Sequence, residues 1–463
     1  MADIEINKTY YFFFEALKAG FVAQNYENRI MSIIGMCLSD LLIVEYQKSI
    51  NWLQSIVEPY ILKLGELAQL KQIDKNTQSL TCHILNLVSQ LMSSLIQRQQ
   101  NHNSTDIMAN DSTASSVNTS FQVGNGHGAI VNTSNDERAI VNSLLIKLIP
   151  IYKQIISRNL STDLIIIDKL FESISVTLSS NIACSNPQPE NEITEAILNE
   201  LIQMFYILNE NSWRKFAYEV CRQILIIWWK NDKYKNNLSN LFLFSYQNAM
   251  KLMTRDMNWF HDHTDVVEQY CTCLAKLLKS KYYDLFEKLN EESLVYLLKF
   301  AQLGLQLPEQ YTLRAVATFL EEFVKFTKLK NNLMEFLEKN SLNLLHIMMM
   351  GISGALPRHL VDILSGILYI FVKEYPQLTN SLLNQILIKN DFQPYGITQQ
   401  SAATAESQTT SLHLSKEQKQ GFVKSILSES SNKRKFKEII TEFSLICRGL
   451  INTQYAKETS QKF

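Results

Sequence analysis

The sequence predicts an all-α protein, and three observations lead to that prediction. Gly and Pro number only 13 and 8 among 463 residues, whereas soluble proteins ordinarily contain about 7% and 5%. Strands and tight turns use both residues, so their scarcity favours helices. Hydrophobic residues make up 46% of the chain, which is ample for a core. Along most of its length they recur at the i, i+3, i+4, i+7 spacing of an amphipathic helix.

Two amphipathic helices joined by a short turn recur along the chain, at a period of about 40 residues. One such pair cannot bury its apolar face alone and must stack on its neighbours. We therefore expect a degenerate HEAT-like helical-repeat solenoid (an α-α superhelix), with a large globular all-helical fold as the alternative. The predicted pairs are 24–42 with 50–70, 144–157 with 163–178, 194–208 with 213–229, 240–253 with 266–278, and 293–303 with 313–326.

Helix boundaries are clearest toward the C-terminus. An apolar stripe from Leu360 to Tyr375 predicts a helix, which Pro376 should stop because proline cannot continue it. Ser415 and Gln418 form a capping box ahead of the next helix. Gly449 stands where the last helix should end. The last two helices should pack as an antiparallel hairpin.

Composition divides the chain into segments. Residues 99–137 are rich in Asn, Ser and Thr and poor in large apolar residues. Such a segment cannot bury enough surface to offset the entropy of ordering, so it predicts a disordered insertion. The full division is 1–98 HEAT-like repeats, 99–137 insertion, 138–396 HEAT-like repeats, 397–412 flexible linker, 413–452 C-terminal helical hairpin and 453–463 tail.

Charge and hydropathy argue against several classes of protein. Lys plus Arg (44) balances Asp plus Glu (45), which argues against a dedicated nucleic-acid binder. The chain starts without a secretory signal. The longest apolar stretch, LLHIMMMGISGAL from Leu344, is shorter than a membrane span. Seven cysteines, an odd number set among apolar residues, suit a reducing compartment. We expect a soluble intracellular protein.

Motifs for catalysis or cofactor binding are missing from the sequence. It contains no Gly-rich phosphate loop, no GxSxG and no HExxH. The strongest metal candidate joins His261 and His263 with Cys271 and Cys273, but residues i and i+2 on a helix point to different faces. We therefore predict no catalytic, cofactor-binding or metal site, no cofactor and no enzyme activity. A helical enzyme assembled from distant residues is the alternative.

The last helix begins with a basic cluster formed by Lys433, Arg434, Lys435 and Lys437. A helix N-terminus carries partial positive charge and favours acids, so cations there are unfavourable. One interpretation is an electrostatic contact with an acidic protein or with a neighbouring repeat. The other is an exposed turn kept for solubility or local pairing.

The same region carries a family resemblance. LSKEQKQGFVKSILSESSNKRKFKEIITEFSLICRGL, from Leu414, resembles the C-terminus of nuclear transport receptors of the importin-β (karyopherin) superfamily. HTDVVEQYCTCLAKLLKSKYYDLF, from His263, and SGALPRHLVDILSGILYIFVKEYP, from Ser353, are similar to repeats of the same receptors. EYQKSINWLQSIVEPYILKLGELAQL, from Glu45, and HILNLVSQLMSSL, from His83, are similar to a repeat near the middle of the receptors. The resemblance follows the family's order and covers nearly the whole chain.

The resemblance implies a transport receptor that binds folded protein cargo on a concave surface, with Ran GTPase and nucleoporins as further partners. Such receptors are roughly twice as long as this chain, and their Ran-binding repeats lie in the N-terminal half, so we expect these residues to correspond to the C-terminal half. The implied localisation is cytoplasm and nucleus, with shuttling. No nucleic acid and no membrane span are implied. The alternative is a HEAT-repeat scaffold unrelated to Ran.

Overall fold

The fold is seen in a computed structural model that describes residues 29, 31–36, 46–70, 74–111, 146–156, 164–183, 192–209, 214–255, 257–390, 392–394 and 414–450. Every regular element in these ranges is helical, and none of them is a strand. None of the helices described is long and apolar enough to cross a membrane. The chain divides into two compact units, 1–241 and 242–463.

The first unit is a stack of helices. They are α1 (Tyr46–Ala68), α2 (Lys75–Asp111), α3 (Leu164–Ala183), α4 (Glu192–Asn209) and α5 (Lys215–Trp228), with a further helical stretch at 146–156; α6 (Lys235–Arg255) spans residue 241. Helix α3 packs between α2 and α5. Its apolar face, with Ile166, Leu170 and Phe171, is almost fully buried.

The second unit repeats the same arrangement with more helices. They are α7 (Met257–Asp262), α8 (Thr264–Lys279), α9 (Tyr283–Glu287), α10 (Glu291–Gly304), α11 (Gln310–Thr327), α12 (Asn331–Met350), α13 (Val361–Glu374), α14 (Pro376–Asn384), α15 (Lys416–Ser428) and α16 (Lys433–Cys447). One row of neighbouring helices runs α8, α11, α13, α16, and a second row runs α10, α12, α14, α15. Each helix touches its neighbours in the row, as in a helical-repeat protein.

Hydrogen bonds between neighbouring helices of a row reveal the repeat period. The Thr312 hydroxyl donates to the backbone oxygen of Thr264, 48 residues earlier, at 3.2 Å. The hydroxyls of Thr327 and Tyr375 are 3.0 Å apart, again with a separation of 48. In the first unit, Gln223 donates to Ser175 across the same separation. The period is therefore longer than the predicted 40 or so, since short helices such as α9 and the turns lengthen each repeat.

Most predicted helices are present, and the structure adds or extends others. Helix α12 was not predicted as a helix, although its last residues belong to the apolar stretch from Leu344. Pro376 both ends α13 and begins α14, because proline suits a first helical turn. Helix α2 extends to Asp111, into the segment predicted to be disordered. The rest of that insertion (112–137), the linker 397–412 and the tail 453–463 lie outside the described residues, so the domain division stays a prediction.

The C-terminal hairpin forms as its residues predict. Ser415 and Gln418 make both hydrogen bonds of the capping box. The rings of Phe422 and Phe443 stack with centroids 3.8 Å apart. Gly449 adopts φ 67°, and the amide of Leu450 donates to the oxygen of Leu445 at 2.9 Å. This is the Schellman ending that a glycine after a helix permits.

Arg448 fastens this hairpin to the preceding repeat. Helix α12 ends in a single π-helical turn, Gly351–Ala355, in which Gly354 has φ 150°. The Arg448 guanidinium donates to the oxygen of Leu356 at 2.7 Å and, at longer range, to those of Gly351 and Ile352. Gly351 and Ile352 belong to the last helical turn and Leu356 directly follows it, so Arg448 acts as a cap supplied from another helix.

Candidate protein-interaction surface

The basic cluster predicted from the sequence lies at the start of α16, on the surface of the second unit. Asn432 caps the helix: its side-chain oxygen accepts a hydrogen bond from the amide of Lys435 at 3.2 Å. The cap satisfies one of the free amides at this helix end. It does not remove the unfavourable interaction between the helix dipole and the cations that follow, so their compensation must come from other groups.

Two of the four cations turn toward α13. The Lys437 ammonium lies 2.6 Å from the Asp362 carboxylate, and the Lys437 side chain is 26% exposed. The Lys433 ammonium lies 5.9 Å from the centre of the Tyr369 ring, within cation–π range. Positions 433 and 437 share a face because they are four residues apart on one helix.

The other two cations face outward and are the more exposed. Arg434 is 70% exposed, and its Nε lies 3.3 Å from Glu438. Lys435 is 61% exposed, and its ammonium lies 3.9 Å from Glu429. Exposed pairs of this kind contribute about 0–1 kcal/mol. A partner protein could therefore displace either acid at little cost.

A carboxylate from α11 stands beside the inward-facing cations. Burial raises the pKa of Glu321, while Lys433 and Lys325 oppose that rise. Its neighbour Glu322 pairs with Lys325 at 2.8 Å. As adjacent acids in the sequence, Glu321 and Glu322 suit a solvated helix face, but this interpretation is wrong because both side chains are partly buried. The sequence does contain one sign of this burial. Gly366 lies inside the apolar stripe of α13, and a glycine there indicates that another group approaches the helix closely.

The other residues singled out in the sequence are not brought together as a site. Cys271 and Cys273 are buried on α8, whereas His261 is exposed and His263 half-buried at its start. Burial raises the pKa of the Cys271 thiol. Within the described ranges no group of three or more potential metal ligands occurs.

The paired tryptophans of α5 are packing residues. Trp228 and Trp229 are each 6% exposed, and the Lys235 ammonium lies 5.8 Å from the Trp229 ring. This burial leaves no platform on which a partner could stack.

A shallow cleft of about 460 Å³ lies where the turns before α10 and α12 meet. Its floor includes Leu289, Leu294 and Phe336, all nearly buried. Lys330 and Glu287 pair across its rim at 3.0 Å. Since both signs of charge line it, the cleft selects no particular partner chemistry.

Comparison with known proteins shows which proteins this chain is similar to. A family model described as the importin 13 repeat matches residues 305–379, from the end of α10 into α14. Human importin-13 is 26% identical over 435 residues, which is 93% of this chain and 39% of the human protein. Rat importin-13 is 27% identical over 436 residues with the same shares. The chain thus spans about two-fifths of the length of the curated relatives it matches.

A solved structure described as importin-13 in its cytosolic state has the same fold. It aligns with a TM-score of 0.66 at 19% identity, over 97% of this chain and 43% of that chain. The class of protein is therefore an all-α helical-repeat solenoid, with the fold of that solved structure. Within that class the chain is related to importin-13, and the resemblance to the importin-β superfamily read from its segments is confirmed.

Proposed function

We propose that this chain is part of an importin-13-like transport receptor that carries folded proteins between cytoplasm and nucleus. The observation behind the proposal is the similarity to importin-13 along 93% of the chain. The function requires binding surfaces and no catalytic groups. Because each helix packs on its partner within the repeat and on the helices of adjacent repeats, small rotations between repeats add up and change the binding surface. Cargo would bind one arrangement of repeats more tightly than another.

Ran GTPase and nucleoporins are proposed as partners of the receptor as a whole. We place the main Ran contacts in the part of importin-13 that this chain does not match. The competing function is a HEAT-repeat scaffold that stays with one complex and is indifferent to Ran.

The test is to attach a fluorescent tag to the protein at its natural gene and bleach the whole nucleus. A shuttling receptor should refill the nucleus within minutes. Proteins captured through the same tag should dissociate when Ran carrying a non-hydrolysable GTP analogue is added. A fusion that stays in one compartment, with captured proteins indifferent to Ran, would establish the scaffold instead. Ran carrying GDP is the control.

Arg434 and Lys435 are the cluster residues that we propose to contact an acidic partner, because they are the most exposed and their acids are weakly held. Reversing both, Arg434→Glu with Lys435→Glu, should weaken binding of a captured acidic partner about three- to tenfold, mainly through slower association. The control is Lys424→Glu on the exposed face of α15. If the double variant and the control bind the partner equally well, the cluster serves only local pairing with acids of this chain.

A further inference from the structure

The carboxylate of Glu321 occupies a notch in the neighbouring helix. Glu321 belongs to α11, and Gly366 lies on the facing side of α13. A Cβ atom added at Gly366 would stand 2.6 Å from Oε1 of Glu321, closer than any real Cβ contact. Any side chain at position 366 would therefore displace the carboxylate. A glycine in a helix interior costs about 0.5–1 kcal/mol relative to alanine, and the notch supplies a physical reason for it here.

Two cations of the next helix in the row act electrostatically on the same carboxylate. Lys433 and Lys437 of α16 both favour the ionised form of Glu321, against the effect of its burial. Lys437 is held in place by Asp362 of α13, and Lys433 by the ring of Tyr369. Three successive helices of one row, α11, α13 and α16, thus contribute charges to one junction.

The same helices supply further charged groups at the junction. Helix α11 adds Glu322 and Lys325, which pair with each other at 2.8 Å. Helix α13 adds Asp362. The ring of Tyr369 also packs edge-on against Phe436, with centroids 5.3 Å apart. The cations at the start of α16 are therefore balanced by acids on the two preceding helices of the row, which offsets their unfavourable interaction with the helix dipole.

We propose that Glu321, Asp362, Lys433 and Lys437 form an ionic lock that fixes α16 against α11 and α13. Because the lock joins three consecutive helices of a row, it restricts the rotation of the C-terminal hairpin relative to both repeats before it. Partly buried ion pairs are screened less by salt than exposed ones, yet they weaken at high ionic strength. The lock therefore holds the hairpin at moderate salt and loosens as salt rises. This inference does not depend on the transport function.

The experiment is hydrogen exchange of the backbone amides at 433–440, measured by mass spectrometry on the full chain. Glu321→Gln keeps the shape and removes the charge, and should accelerate exchange there about tenfold. Glu438→Gln, which removes an outward-facing acid of α16, is the matched control and should change exchange less than twofold. Equal exchange in the two variants overturns the lock.

The notch is tested by a double-mutant cycle. Gly366→Ala should accelerate exchange in the wild-type chain, because the new methyl group displaces the carboxylate. In the Glu321→Ala background the same methyl group meets empty space, so the added effect should disappear. If Gly366→Ala accelerates exchange equally in both backgrounds, the methyl group acts through ordinary packing, and the proposal that it displaces the Glu321 carboxylate is wrong.

Salt provides a readout that needs no variant. Raising NaCl from about 0.05 M to 1 M shortens the screening length from roughly 14 Å to 3 Å and should accelerate exchange at 433–440 in the wild-type chain. The increase should be smaller in Glu321→Gln, which keeps only the Lys437–Asp362 pair of the lock. Exchange that is independent of salt in the wild-type chain contradicts the proposal even if a variant fails to fold.

Discussion

Truncating Arg448 should release the C-terminal hairpin from the preceding repeat. The guanidinium donates at 2.7 Å to the oxygen of Leu356, and its Nε donates at 3.1 Å to the Ser444 hydroxyl. Ser444 in turn donates at 2.6 Å to the oxygen of Ile352. Since Leu356 and Ser444 are buried, Arg448→Ala leaves acceptors in a place that water does not readily reach.

The magnitude follows from these contacts. One well-formed hydrogen bond from a charged donor contributes about 1.5–3 kcal/mol, and a buried acceptor left without a donor costs about 1–3 kcal/mol. The bonds to Gly351 and Ile352, at 3.3 and 3.4 Å, are long and add less. We expect Arg448→Ala to lower the local free energy of opening by about 2–4 kcal/mol. The local free energy of opening of Arg448→Lys should lie between those of the wild type and Arg448→Ala. A lysine ammonium cannot donate to several carbonyls at once, as the planar guanidinium does.

The assay is hydrogen exchange of peptides covering 351–356 and 441–450, because a chain with two compact units does not unfold in one step. Arg434→Ala is the control: it removes another arginine of the same hairpin, one that makes only an exposed pair worth about 0.3–0.5 kcal/mol. If Arg448→Ala and Arg434→Ala change the exchange equally, the reasoning about the helix cap is refuted.

Two further predictions concern packing and pH. A Cβ at Gly304 would stand 2.7 Å from a methyl group of Val316, so Gly304→Ala should destabilise the second unit by about 1–3 kcal/mol. Gly421→Ala on α15 meets nothing within 4 Å and should stabilise by up to about 1 kcal/mol; urea unfolding that ranks the two variants the other way contradicts the packing. Burial raises the pKa of Tyr152 to about 12 from an ordinary value near 10. The folded state thus favours the protonated phenol, and this preference contributes to the free energy of unfolding. The contribution is complete below pH 10. It is lost as pH rises toward 12, by no more than about 1.4 kcal/mol per pH unit. The difference in urea midpoint between wild type and Tyr152→Phe should shrink over that range, and a constant difference would exclude this assignment.

Local patterns were enough to predict most of the helices, and two of the helix ends in the C-terminal hairpin. An apolar stripe such as the one from Leu360 to Tyr375 specifies a helix wherever it packs, because the 3.6-residue period is a property of the helix itself. The capping box at Ser415 and the ending at Gly449 depend on residues within one turn. The fold class follows from such stripes, since paired amphipathic helices can bury their faces only by stacking.

The candidate surface was predicted only in part. The sequence indicated a basic cluster at the start of the last helix and left two interpretations of it open. Which cations face inward depends on α13 and α11, whose residues Asp362 and Glu321 precede Lys433 in the sequence by about 70 and 110 residues. Nothing in the spacing of Lys433 and Lys437 reveals that these acids approach them.

What the sequence determined by itself was the helical content, the hairpin at the C-terminus and the class of repeat, all of which rest on contacts between residues close in the chain. The tertiary structure alone decided the repeat period of 46–48 residues, the role of Arg448 as a cap for another helix, and the notch at Gly366. These features depend on how neighbouring helices are aligned along their axes. That alignment is fixed by side-chain packing between repeats, which leaves no periodic trace within either helix.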